Sequence, residues 1–146
     1  MFNQLYILLM TLCLAGSITF MAMPSQAQVK PSSEEFDLLV KSGEPIYIDG
    51  ERIYRPSELQ RKVIILYKPE PSYTEKATKN RVEGIVEIRL ILSAAGKLKV
   101  LHVRKGLPDG LTEQALKAAK KIKFRPGAVD GKPVSTFILA QYYFTL

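Results

Sequence analysis

The sequence has very few of the side chains that most often carry chemistry. Its 146 residues include one cysteine, one histidine and no tryptophan. A lone cysteine, Cys13, excludes an internal disulfide and any metal site built on several thiolates. A catalytic histidine needs a nucleophile and an orienting acid nearby, and the strand neighbours of His102, Leu101 and Val103, supply neither. No Gly-rich phosphate loop, H-E-x-x-H or G-x-S-x-G motif occurs. We therefore predict a protein that is not an enzyme and holds no metal or cofactor, with His102 as a structural or surface residue.

The N-terminus is a long apolar run. Residues 5–22 are almost wholly apolar, and Ser25 and Ala27 place small side chains at the −3 and −1 positions of a cleavage site. Residues 1–27 are therefore predicted to be a secretory signal peptide. No lysine or arginine precedes the run, and about 18 residues is also the lower limit for a membrane span. An uncleaved membrane anchor is the alternative.

Charge is divided unevenly along the rest of the chain. Residues 28–60 hold four basic and seven acidic side chains, whereas residues 61–146 hold seventeen and seven. A basic domain is drawn to anionic surfaces, and export argues against nucleic acid as the partner. Lys117, Lys120 and Lys121 lie on the polar side of a predicted helix. They are candidates for an anionic-surface contact, with a solvated helix face as the other reading.

Residues 28–60 are predicted to form a short N-terminal extension. Ser32 and Glu35 have capping-box spacing at the start of a helix, and Gly43 ends it. Asp49-Gly50 favours a type I′ turn between two short strands. Because an isolated hairpin is marginally stable in water, we expect it to pack on the main domain. Pro56-Ser57 then marks a boundary.

Residues 61–146 are predicted to form the main domain. A strand at 63–67 is followed by a helix at 72–79, which Ser72 and Glu75 would cap. Alternating apolar residues predict strands over 84–92 and 98–105, and Leu111, Ala115, Ala119 and Ile122 form the apolar stripe of a helix over 112–123. A long last strand covers 134–146. The predicted fold class is α+β, a two-layer sandwich with two helices on a small three-stranded antiparallel sheet.

Several short motifs within this domain occur in a recognisable order. Pro71-Ser72-Tyr73-Thr74 opens it, and Gly84 starts a strand. Phe124-Arg125-Pro126 follows the second helix, and Asp130-Gly131-Lys132-Pro133 precedes the last strand. Over residues 69–146 this order resembles the C-terminal domain of the TonB family, in which proline is usual at the position of Thr74.

The resemblance implies a periplasmic, non-catalytic protein-binding module that takes part in envelope transport. Domains of this energy-transducer family grip a short extended peptide of an outer-membrane transporter, largely by strand addition. The resemblance implies that an energy transducer has a transmembrane helix with a histidine and a long Pro-rich spacer before this domain. The apolar segment at residues 1–27 has no histidine, and no Pro-rich spacer follows it. A periplasmic scaffold or homodimer without energy transduction is therefore the alternative, and a short anchored transducer is a third.

The last strand carries the candidate partner-binding residues. One face of this strand would present Phe137, Leu139, Gln141 and Tyr143, which suits an incoming peptide strand if the strand lies at the edge of the sheet. The alternative is that residues 28–60, or the strand around Ile65, cover this face.

Overall fold

A computed structural model describes residues 30–146, so the predicted signal peptide or anchor at 1–27 lies outside the described residues. No helix within residues 30–146 is both long and apolar enough to cross a membrane. The helices are α1 (Ser33–Ser42), α2 (Glu75–Lys79) and α3 (Leu111–Ala119), with a 3₁₀ turn at Pro56–Glu58. The strands are β1 (Ile46–Ile48), β2 (Glu51–Tyr54), β3 (Ile64–Tyr67), β4 (Gly84–Leu92), β5 (Leu98–Lys105), β6 (Lys123–Arg125), β7 (Ala128–Val129), β8 (Lys132–Pro133) and β9 (Ser135–Phe144).

The main sheet has five strands in the order β1-β2-β9-β4-β5. Strand β4 pairs antiparallel with both β5 and β9, as expected, but β2 pairs parallel with β9 through Ile53–Ser135 and Tyr54–Thr136. The prediction of a three-stranded antiparallel sheet was therefore wrong. The β1–β2 hairpin extends the sheet because it needs a partner to be stable, and the edge of β9 offers unpaired backbone groups.

One face of this sheet packs on α2 and α3. The core there contains Ile88 and Leu90 of β4 together with Ala140, Tyr142 and Phe144 of β9. The helices contribute the buried residues Ala77, Leu111, Ala115, Ala118 and Ala119, and Ile122 joins them from the turn after α3, so the predicted apolar stripe does face the sheet. Small alanine side chains let α3 lie close to the strands. This is the larger of the two cores.

The opposite face packs on α1. Phe36, Leu39 and Val40 of this helix contact a second core that includes Ile91 and Phe137. Since successive strand residues point to opposite faces, Ile91 and Phe137 lie on the side away from Leu90 and Ile138. The molecule thus has three layers, and the two-layer prediction was wrong because α1 buries its apolar stripe on the sheet.

The ends of two helices differ from the predicted ones. The side chain of Ser32 caps α1 as expected, but Thr74 caps α2 in place of Ser72, because its hydroxyl accepts a hydrogen bond from the Ala77 N–H at 3.1 Å. Helix α3 ends at Ala119 because Lys123 joins β6, which pairs antiparallel with β3. Within the Asp130-Gly131 motif both residues have positive φ and form a tight turn that connects β7 to β8.

Candidate peptide-binding edge of the last strand

The outer edge of β9, the one turned away from β4, can be identified from the alternation of backbone groups. The Ser93 N–H donates to the Lys97 carbonyl at 2.9 Å, so the backbone groups of Ser93 face β5. The backbone groups of successive strand residues point to opposite edges, so those of Leu90 face β9, where Leu90 pairs with Ile138. The backbone groups of Ile138 therefore face β4, and those of its neighbours in β9 face outward. The residues of β9 whose backbone groups face the outer edge are Phe137, Leu139, Gln141 and Tyr143.

The first part of this outer edge is covered by the chain's own N-terminal region. Pairing with β2 ends at Thr136, whose hydroxyl also donates to the Tyr54 carbonyl at 2.7 Å. The Phe137 ring stands edge-on to the Phe36 ring of α1, with 5.0 Å between ring centroids. Phe137 is therefore half-buried and not a free side-chain anchor. At this end the structure matches the alternative that residues 28–60 cover the face.

The second part of the outer edge, from Leu139 to Tyr143, is open. No strand within residues 30–146 pairs with it. Leu139 is 37% exposed and Tyr143 is 60% exposed. The Gln141 amide donates to the Glu87 carboxylate at 2.8 Å, and the Tyr143 hydroxyl donates to the Gln141 side-chain oxygen at 3.2 Å. The Gln141 and Tyr143 side chains are thus linked to each other and, through Gln141, to Glu87 of β4.

A groove of about 280 Å³ runs beside the open edge. One wall is Ile65 of β3, which pairs only with β6 among the described strands and so leaves the edge of β9 free. The lining residues are Ile65, Lys68, Ile122, Ile138, Leu139, Ala140, Gln141 and Tyr143. The groove can therefore accept apolar side chains from a segment whose backbone pairs with β9.

Lys68 reaches across this groove to the open edge. Its ammonium nitrogen donates to the Gln141 carbonyl at 2.7 Å and lies 4.6 Å from the centroid of the Tyr142 ring. Burial, together with the negative charge of Glu70, raises the pKa of Tyr142 to about 12. Sequence reasoning did not identify Lys68, because a lysine just after a strand carries no signal of what it reaches.

Strand β3 is itself an exposed apolar surface. Ile64, Ile65, Leu66 and Tyr67 are between 41% and 59% exposed. The sequence predicted this strand, but its run of apolar residues is typical of a buried strand. It stays on the surface because, within residues 30–146, it pairs with no strand other than the three-residue β6.

The lysines predicted to meet an anionic surface lie at the end of α3. Lys117, Lys120 and Lys121 are all exposed, and none of them forms an ion pair with another residue of the range 30–146. Either a solvated surface or an anionic partner fits this arrangement, so their role stays a prediction.

His102 belongs to a charged cluster under α1. Arg89 is only 6% exposed and lies 2.9 Å from the Asp37 carboxylate, which Arg104 approaches at 3.3 Å. The His102 ring is 6.0 Å from the Phe36 ring, and neither ring nitrogen has a hydrogen-bond partner among the described residues. Burial and the charge of Arg89 lower the pKa of His102.

Residues 30–146 contain no group of three His, Cys, Asp or Glu side chains that could hold a metal.

The main domain is thus a basic α+β domain whose last strand keeps half of one edge open. The family described as the C-terminal domain of the Gram-negative bacterial TonB protein matches residues 69–146. Because this match spans more than half of the chain, the protein belongs to the TonB C-terminal family.

Among solved structures, the chain is similar to the solution NMR structure of the Pseudomonas aeruginosa TonB C-terminal domain. The two are 22% identical over 57% of this chain and 86% of that chain, with a TM-score of 0.43. No curated protein sequence matches this chain.

Proposed function

We propose that this protein is an exported, periplasmic TonB-like module that acts in envelope transport without catalysing a reaction. Its partner is an extended peptide of an outer-membrane transporter, which adds to β9 as a further strand. The observation that carries the proposal is the open edge from Leu139 to Tyr143 beside an apolar groove. The family to which residues 69–146 belong supports the same class of partner.

Both the backbone and the side chains of the bound peptide would contribute. The outward N–H and C=O groups of Leu139, Gln141 and Tyr143 pair with its backbone, each hydrogen bond contributing about 1 kcal/mol. Alternate peptide side chains then face the two sides of the sheet. Those on the α3 side enter the groove against Ile65 and Ile122, and those on the other side meet the exposed row of Leu139 and Tyr143. Backbone pairing gives affinity, and the groove gives selectivity.

Proline substitution at the open edge tests this binding mode. Leu139→Pro removes an N–H that faces the open edge, so it should abolish binding of peptides selected from a displayed library of random octapeptides. Leu139→Ala keeps the N–H and removes only the side chain, so it should weaken the same peptides by a smaller factor. Peptides that bind Leu139→Pro as tightly as the natural sequence would show that the edge of β9 is not the site.

The exposed strand β3 favours a second candidate function, a homodimeric scaffold. Its four exposed apolar side chains and free edge form the type of surface that pairs with a second copy. In that case the mass measured by sedimentation equilibrium should rise toward that of a dimer with concentration, and Leu66→Lys should return it to the monomer. A monomer at every concentration tested would exclude this candidate.

A further inference from the structure

The small ladder of β3 and β6 has two faces with different surroundings. Directly paired residues of an antiparallel ladder share a face, and so do residues two apart in one strand. Ile64 pairs with Arg125, and Tyr67 pairs with Lys123 after a register shift, so these four side chains lie on one face. Ile65 points to the opposite side and lines the groove beside β9. We call the side of Ile64, Tyr67, Lys123 and Arg125 the outer face.

The outer face combines exposed apolar side chains with cations. Ile64 is 45% exposed and Tyr67 is 53% exposed, and Leu66 next to them is 59% exposed. Lys123 and Arg125 are exposed, and neither forms an ion pair with another residue of the range 30–146. Exposed apolar groups rimmed by charged ones mark sites that contact another protein or a membrane. The partner must offer both apolar and negative groups.

The positive charge extends beyond the outer face. Residues 61–70 and 117–130 together hold eight basic and two acidic side chains. The acidic ones are Glu70 and Asp130, which end the two segments and do not belong to the outer face. Glu70 lies beside Lys117 at a small cleft of about 100 Å³, and neither acid forms an ion pair within residues 30–146. The cations around β3 therefore outnumber the nearby acids.

This charge distinguishes two partners that could cover the apolar side chains. A second copy packed face to face would bring Lys123 and Arg125 against the same residues of the other copy, and the like charges would repel. The surface of an anionic phospholipid bilayer offers the complementary groups, because phosphates attract lysine and arginine while the acyl boundary accepts apolar side chains. Tyrosine suits that boundary, since its ring is apolar and its hydroxyl is polar.

We propose that the outer face is a membrane-contact surface that binds anionic phospholipid bilayers. Lys123 and Arg125 bind headgroup phosphates, while Ile64, Leu66 and Tyr67 enter the boundary between the headgroups and the acyl chains. The groove beside β9 lies on the other side of the ladder, so it stays open at the membrane surface. The inference does not depend on strand addition to β9.

Two reporter variants test where the protein meets lipid. The sequence contains no tryptophan, so one can be introduced as the only reporter. Tyr67→Trp places it on the outer face, and Tyr47→Trp is the matched control, because Tyr47 lies on β1 at a similar exposure of 60%. Each full-chain variant is mixed with phosphatidylglycerol or phosphatidylcholine vesicles whose acyl chains carry bromine, which quenches tryptophan on contact. Only Tyr67→Trp with phosphatidylglycerol should be quenched and shift its emission to shorter wavelength. Residues 1–27 are the same in both variants, so membrane binding by that segment cannot produce the difference.

A charge variant in the Tyr67→Trp background tests the role of the cations. Lys123→Gln combined with Arg125→Gln should lower the ratio of lipid-bound to unbound outer face by roughly twentyfold, about fivefold for each charge, which appears as a loss of quenching. Lys97→Gln combined with Lys105→Gln removes the same net charge at exposed positions of the β4–β5 hairpin and should leave the quenching unchanged. All these side chains are exposed, so the thermal unfolding of the variants should match that of the natural protein.

Four results would overturn the proposal. Equal quenching of Tyr67→Trp and Tyr47→Trp would mean that the domain adsorbs without a preferred face. Equal quenching by phosphatidylcholine would mean that the cations play no part, and equal loss in the two charge variants would assign the effect to net charge alone. An emission shift of Tyr67→Trp that grows with protein concentration and needs no vesicles would show that a second copy covers β3.

Discussion

The two halves of the outer edge of β9 share one strand and one backbone alternation, yet they have opposite environments. The half from Ser135 to Phe137 is closed by the chain itself: β2 pairs with it, the Ser135 hydroxyl donates to Glu51, and Phe137 packs on Phe36. Among residues 30–146, only the Lys68 side chain forms a hydrogen bond with an outward backbone group of the half from Leu139 to Tyr143. The covering elements β2 and α1 lie before residue 69, outside the part of the chain that the family match covers.

The point where the edge opens is set by the end of β2. The Arg55 N–H donates to the Glu58 carboxylate at 2.6 Å, so it is not available to β9. Pro56 has no N–H to donate, and a 3₁₀ turn begins there. The Arg55 guanidinium also binds the Leu39, Val40 and Glu44 carbonyls near the end of α1, which fixes this turn against the helix. The turn after β2 therefore limits the length of edge that remains available to a partner.

The largest expected effect is on the free energy of unfolding, when proline is placed at one or the other of two adjacent positions of β9. Ala140→Pro removes an N–H that pairs with β4 inside the sheet and should destabilise the protein by about 3 kcal/mol or more. Leu139→Pro removes an N–H that faces the open edge and should cost less than about 1 kcal/mol. Urea unfolding of both variants measures the difference directly.

The same pair tests the assignment of the edge without any ligand. Ala140→Gly is the matched control, because it alters the backbone and side chain at position 140 and keeps the N–H. If Leu139→Pro were as destabilising as Ala140→Pro, the alternation assigned to β9 would be wrong. The binding test with Leu139→Pro would then lose its meaning, so this stability measurement should come first.

Most of the elements could be predicted because each has a local cause. The capping box at Ser32, the Asp49-Gly50 turn and the alternation along β4 are all read from neighbouring residues. The row of Leu139, Gln141 and Tyr143 also follows from a period of two, so the sequence could indicate which residues share a face.

The pairing of distant elements could not be predicted in the same way. Whether β9 lies at an edge depends on where β2 docks, and the parallel contact of Tyr54 with Thr136 joins residues 82 positions apart. Lys68 meets Gln141 across 73 positions. Such contacts depend on how the layers assemble, and no local pattern encodes them. The sequence could therefore indicate that Phe137, Leu139, Gln141 and Tyr143 share one face, whereas the division of the β9 edge into a covered and an open half needed the structure.

A smaller change in stability is expected when the packing on the covered half of the β9 edge is weakened. Phe36 is fully buried and contacts Phe137, so Phe36→Ala should destabilise the protein by about 3 kcal/mol. Leu38→Ala on the same helix is the control, because Leu38 is largely exposed and should change stability by less than about 0.5 kcal/mol.

Hydrogen exchange can show where the loss of Phe36 acts. In Phe36→Ala the amides of β2 and of Phe137 should exchange faster, while those of Ile138 to Phe144 that bond to β4 stay protected. Equal acceleration along the whole of β9 would mean that α1 supports the sheet as a whole and not only the covered half.

The smallest expected effect is a loss of stability in mildly acidic solution. Burial and the charges of Arg89, Lys30 and Arg104 lower the pKa of His102 below its ordinary value of 6.5, and Asp37 opposes this only in part. The unfolded chain therefore binds a proton at a higher pH than the folded protein does, so stability is present above about pH 6.5 and declines as the pH falls below it. One proton limits the decline to about 1.4 kcal/mol per pH unit.

Urea unfolding at pH 7.5 and 5.5 measures this decline, and His102→Phe is the variant that should remove it. Phenylalanine fits because neither ring nitrogen of His102 has a hydrogen-bond partner among the described residues, and an aromatic ring can still pack against Phe36. His102 is the only histidine of the chain, and aspartate and glutamate titrate mainly below this range. An unchanged pH dependence in His102→Phe would therefore place its origin outside the cluster under α1. Because that cluster lies where α1 docks, the acid effect should loosen the covered half of β9 and leave the open half as it is.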